Sequence, residues 1–96
     1  MRILFNVEID TTKGNEVIEA GQMGKVMEGI LDHLKPEAAY FYPRNGSRAF
    51  TLVVDAADSA SLIGLVEPFW LQLGARVEAI PCTNADELRE GLSRLG

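Results

Sequence analysis

AAYFYPRNGSRAFTLVV, residues 38–54, decides how this chain folds. Residues 38–42 and 49–54 are aromatic and β-branched runs, suited to a pleated, half-buried surface. Between them Asn45-Gly46 supplies the positive φ that a tight turn demands. The stretch is a hairpin, which puts two antiparallel strands in the middle of a 96-residue chain.

Upstream, residues 2–9 alternate, with Ile3, Phe5, Val7 and Ile9 on one side and Leu4, Asn6 and Glu8 on the other, the period of a strand. Asp10, Thr11 and Thr12 offer capping oxygens. After Gly14, the residues Ala20, Met23, Met27, Ile30 and Leu34 recur at spacings of three and four, predicting helix one, which ends before Pro36. Glycines 21, 24 and 29 inside it each cost about 1 kcal/mol relative to alanine, and so imply close packing or an irregular start.

Downstream, Asp58 and Ser59 cap a second helix to Leu73, with Gly74 placed to end it in the left-handed conformation. Pro68 deletes the bond to the Gly64 carbonyl and predicts a kink or a break. Residues 76–81 form a last strand. Asn84 with Glu87 caps a short C-terminal helix striped by Leu88, Leu92 and Leu95.

The order is β-α-β-β-α-β-α, in one domain over 1–96 without repeat or linker. Right-handed crossovers put the two main helices on one face of a four-stranded antiparallel sheet, with strands one and three central. Pro43 and Pro81 then fall on edge strands, where a missing N–H does least harm.

Nine basic against fourteen acidic residues give a net charge of −5, which opposes binding to a phosphate backbone, so nucleic acid is not an expected partner. One cysteine, Cys82, allows neither an internal disulfide nor a cysteine-based zinc site, and fits a reducing cytoplasm. The N-terminus turns polar after four residues, unlike a signal peptide. Leu62–Leu73 is interrupted by Glu67, Pro68 and Gln72, too short and too polar for a membrane span. No cofactor and no metal are expected; no histidine spacing suits a metal.

The sheet face away from the helices carries Leu4, Asn6, Glu8, Tyr40, Tyr42, Thr51, Val53, Glu78, Ile80 and Cys82. So large a mixed patch calls for a cover, and a second copy packed face to face about a twofold axis is the simplest. Two sheets would then enclose a barrel-like, partly polar interior suited to a ligand.

The phrases Leu34-Lys35-Pro36-Glu37-Ala38-Ala39-Tyr40-Phe41, Glu67-Pro68-Phe69-Trp70-Leu71 and Val77-Glu78-Ala79-Ile80-Pro81 resemble those of an uncharacterised family of small bacterial proteins. More broadly, the chain resembles the dimeric α+β-barrel superfamily of ferredoxin-like domains. The resemblance implies a ferredoxin-like α+β fold, a homodimer and a bacterial cytoplasmic origin. Superfamily relatives include cofactor-independent monooxygenases, lactone isomerases and haem-degrading enzymes, whose catalytic motifs have no evident match in this chain.

Glu8 and Glu78, on neighbouring strands, are catalytic candidates: two close carboxylates would raise one pKa and create a general acid or base. Pairing with an arginine is the commoner outcome. His33, the single histidine, is a candidate base, although a capping or solvated role at the helix end is more usual. Tyr40, Tyr42 and Trp70 are candidates to line a pocket for a flat ligand, with Asn6 and Thr51 as hydrogen-bonding groups; packing a dimer core is the plainer use. Arg44 and Arg48 flank the turn, where they could grip an anion or simply be solvated.

Three readings follow: a homodimeric small-molecule-binding module; a cofactor-independent monooxygenase or isomerase acting on a small aromatic or lactone-like substrate; and a purely structural or interaction protein. A closed cavity lined by Tyr40, Tyr42 and Asn6 is what the first expects.

Overall fold

The computed structural model describes residues 1–96. The strands are β1 (Arg2–Glu8), β2 (Ala38–Arg44), β3 (Ser47–Asp55) and β4 (Arg76–Pro81); the helices are α1 (Thr11–Glu19), α2 (Met23–Leu34), α3 (Ser61–Leu73) and α4 (Ala85–Ser93). The fold is α+β, with one antiparallel sheet in the order β2-β3-β1-β4. Strands one and three are central, and the proline-bearing β2 and β4 are the edges. Asn45 and Gly46 both have positive φ, 52° and 75°, as the hairpin turn requires.

Helix one is not continuous. Asp10 accepts from the Lys13 amide at 2.9 Å and starts α1 at Thr11, ahead of Gly14. Gly21 then turns left-handed at φ 69°, and its N–H donates to Ile18 O while that of Gln22 donates to Val17 O. This pair of bonds is the Schellman closure that ends a helix, so the chain restarts as α2 at Met23. Close packing accounts for Gly14, where a Cβ would lie 2.9 Å from Arg48 Nη1 and 3.1 Å from Ile9 Cγ2. It does not account for Gly24 and Gly29, which face open space.

Pro68 does not break α3, which runs unbroken from Ser61 to Leu73. The carbonyl that Pro68 leaves without its helical donor, Gly64 O, lies 3.2 Å from His33 Nε2. The imidazole of α2 thus donates to the gap in α3 and ties the two helices together.

The core lies between these helices and the face of β1 and β3 that carries Ile3, Phe5, Val7, Phe50, Leu52 and Val54. Ile30 and Leu34 of α2 and Val66, Phe69 and Leu73 of α3 close it. Phe69 meets Phe5 and Phe50 edge to face, each at 5.7 Å between ring centroids, an arrangement that adds to plain burial. No helix is long and apolar enough to cross a membrane.

The terminal helix behaves differently. Asn84 and Glu87 form the reciprocal capping box, yet no residue of α4 is buried. Leu88, Leu92 and Leu95 are 53, 55 and 82% exposed. Arg2 of β1 reaches both Glu37 and Glu87 and anchors only the first turn. Consequently the molecule is 55 Å long, with a radius of gyration of 15.2 Å. A compact chain of this length would have about 12.5 Å.

Truncating Phe69 to Ala should cost about 3–5 kcal/mol in denaturant unfolding, because three aromatic rings share that site. The Asp58 carboxyl is held below its ordinary value, first by the Ser61 hydroxyl and then by the Ser61 amide. A group depressed on folding stabilises above its unfolded pKa and loses that contribution as pH falls through the folded value. Acid titration of Asp58→Asn should therefore show a shallower loss of stability in the carboxylate range than the unaltered protein. Identical acid limbs would rule the Asp58–Ser61 contact out as a contributor, the N-cap of α3 itself being Ala60 rather than Asp58 or Ser59.

Candidate functional site

Two surfaces compete as the site. The first is the uncovered sheet face, whose register aligns side chains in rows across the strands in the order β2, β3, β1, β4. Ala38, Val53, Leu4 and Ile80 form an apolar row; Tyr40, Thr51, Asn6 and Glu78 form the next; Tyr42, Ala49, Glu8 and Arg76 form the third. Thr51 Oγ1 donates to Asn6 Oδ1 at 2.8 Å, so the Tyr42 hydroxyl, also bonded to Thr51, must be the donor there. The result is a polar relay from Tyr42 through Thr51 to Asn6.

Glu8 and Glu78 do share this face, but not as an acid-base pair. The Arg44 guanidinium reaches both, Nε to Glu8 and Nη2 to Glu78, each at 3.6 Å, and Asn45 Nδ2 donates to Glu8 at 2.9 Å. Each carboxylate is engaged by a cation, the outcome expected of an ordinary ion-paired rim. Arg44 is thereby committed to holding the hairpin turn against β1 and β4. Tyr40 stands 70% exposed at the β2 edge.

The second surface is on the opposite side of the sheet. A groove of about 650 Å³ lies between the hairpin and α1–α2, within the size range of small-molecule sites. Phe50 and Ile9 are buried beneath it, Met23 and Met27 of α2 form one wall, and Phe41 forms another. Phe41 is 55% exposed and its ring lies 5.6 Å from that of Phe50. Thr11, Asn15, Ser47 and Arg48 supply the polar rim. The helix break contributes here: α1 brings Thr11 and Asn15, whereas α2 brings the methionines.

The sequence-derived candidates are thus dispersed. Asn6, Thr51, Tyr40 and Tyr42 share the open face with Glu8 and Glu78, and no closed cavity forms around them within one chain. The Tyr42 residue also borders the groove, although its hydroxyl is bonded on the other face. Trp70 belongs elsewhere: it projects from α3 into a small apolar hollow with Leu62, Ile63, Val66, Val77 and Ala79, beside the β4 edge. His33 spans α2 and α3, also away from the groove. The residues that sequence reasoning missed are Phe41, Met23 and Met27. Strand alternation already placed Phe41 opposite Tyr40 and Tyr42, on the face toward the methionine stripe.

No family model matches the chain, and no curated protein matches it.

Thr51→Val leaves the Tyr42 hydroxyl and Asn6 Oδ1 without their shared partner. The variant should be less stable by about 1–2 kcal/mol in urea unfolding, and Tyr42→Phe, which removes only the outer link, should be affected less.

Proposed function

We propose that this protein is a homodimeric small-molecule-binding module, with its ligand in the groove between the hairpin and α1–α2 and its second copy on the uncovered sheet face. The observation that carries the binding reading is Phe41: a large aromatic side chain more than half exposed over an apolar floor of matching chemistry. An apolar ligand would cover what the fold itself leaves wet.

The dimer rests on surface left unburied. The chain exposes 6213 Å², whereas a compact protein of 10.5 kDa exposes roughly 5,400 Å². The excess of roughly 800 Å² equals one partner's share of a standard interface. Candidates for covering it are the apolar row Ala38, Val53, Leu4 and Ile80, of which Ile80 is exposed and the others half-buried, and the exposed leucines of α4. Two faces packed in this way would form the barrel of the dimeric α+β superfamily that the sequence resembles. The four-stranded antiparallel sheet with its helices supports that ferredoxin-like reading; the split first helix and the projecting α4 are departures from it. A bacterial cytoplasmic setting belongs to the same proposal, on the resemblance alone.

The enzymatic alternative gains less support. Glu8 and Glu78 are engaged by Arg44 on the other side of the sheet, and His33 is bonded to the α3 backbone, so none of the three faces the groove.

Sedimentation velocity should give a species of twice the 10.5 kDa chain mass. Leu4→Glu, in the centre of the apolar row, should yield monomer with an unchanged far-UV spectrum. A dimer unaffected by that charge would exclude the sheet face as the interface. Titration with neutral 2-naphthamide, followed by amide NMR shifts, should perturb Met23, Met27, Phe41 and Phe50; shifts confined to other regions would refute the groove.

A further inference from the structure

We infer that the groove selects a small apolar molecule carrying a single negative charge, such as an aromatic carboxylate, and that Arg48 recognises that charge. The inference rests on the binding reading above and adds the ligand's chemical class.

Arg48 is the only charged residue of the groove. The chain has fourteen acidic residues, and four of its six arginines use them: Arg2 with Glu37 and Glu87, Arg44 with Glu8 and Glu78, Arg89 with Asp86, Arg94 with Glu90. Arg48 has no carboxylate within 4.0 Å. Its one side-chain bond is from Nη1 to the neutral Asn15 Oδ1, at 3.1 Å. A guanidinium has five donors in a planar fork, so most of its capacity is uncommitted, and the group best matched to that fork is a carboxylate or similar oxyanion.

The position of the guanidinium is built rather than incidental. Gly14 sits inside α1, where glycine costs about 1 kcal/mol relative to alanine. The space its missing Cβ leaves is taken by Arg48, whose Nη1 would lie 2.9 Å from such an atom. Asn15, the next residue of the same helix, then orients the head group. Helix stability is given up at Gly14, and the guanidinium lies against α1, with Arg48 lining the same groove as Met23 and Phe41. Apolar walls with one cation at the rim describe a ligand with an apolar body and one anionic end.

The test compares 2-naphthoate with 2-naphthamide, two probes of one shape differing in charge, by NMR titration of the full chain. In the unaltered protein 2-naphthoate should bind about tenfold more tightly, the factor expected of one charge-assisted contact. Arg48→Gln should abolish that preference, so that within the variant 2-naphthoate and 2-naphthamide bind equally. Gly14→Ala should retain the far-UV spectrum, the added Cβ displacing the far end of Arg48 and pressing on Ile9 Cγ2 by a few tenths of an ångström. It should nevertheless weaken naphthoate binding by displacing the guanidinium, a result that loss of folding cannot explain. Equal binding of the two probes overturns the charge selection and leaves the groove reading intact. A naphthoate preference that survives Arg48→Gln overturns the role of Arg48. Failure of both probes to bind removes the groove reading and the inference together.

Discussion

The alternation of β1 is the constraint on which everything else depends. β1 is bonded on both sides, to β3 and to β4, so its register sets the face of every other strand. Ile3, Phe5 and Val7 are almost wholly buried against the helices, while Leu4, Asn6 and Glu8 lie half-covered on the other side. A slip by one residue would exchange these sets and place Glu8 in the core, which burial energetics forbid. From that register follow the aromatic cluster of Phe5, Phe50 and Phe69, the polar relay through Thr51, and the row of apolar side chains left uncovered.

The uncovered face and the projecting helix have a common origin. A chain of 96 residues can bury one side of a four-stranded sheet with three helices, and little remains for the other side. Of the charges of α4, Arg89 pairs with Asp86 and Arg94 with Glu90 along the helix and Glu87 pairs with Arg2, which leaves the leucine stripe without a partner. Such a helix gains stability by burying its apolar face, and its own fold offers it an anchor only at Arg2.

Two features that look like local faults are compensated by tertiary neighbours. Pro68 removes a donor from α3, and His33 of α2 supplies one. Gly14 weakens α1, and Arg48 of β3 occupies the space. Both compensations join elements distant in sequence, and the second one shapes the rim of the groove. The single histidine of the chain thus joins two helices, a use that the capping, solvated and catalytic readings of its helix-end position did not include.

Much of the fold was legible in the amino-acid sequence. The hairpin at Asn45-Gly46, the edge placement of Pro43 and Pro81, the Asn84–Glu87 capping box and the two faces of β1 all follow from local geometry or period. The split of helix one was not legible, because Met23, Met27, Ile30 and Leu34 keep helical spacing across it, and only the backbone at Gly21 reveals the turn. The candidate site was legible in part: alternation grouped Asn6, Tyr42, Thr51, Glu8 and Glu78 on one face, but not which partner each would take. Arg44 was open to gripping an anion or to solvation at the turn, and strand register instead brought it to Glu8 and Glu78. The groove was hidden for the same reason, since Phe41, Met23 and Arg48 come from three elements whose distances no linear pattern encodes. Sequence by itself determined which faces exist, because period is a local property. Only the tertiary structure decided which faces meet, because contacts between distant segments depend on how the whole chain packs.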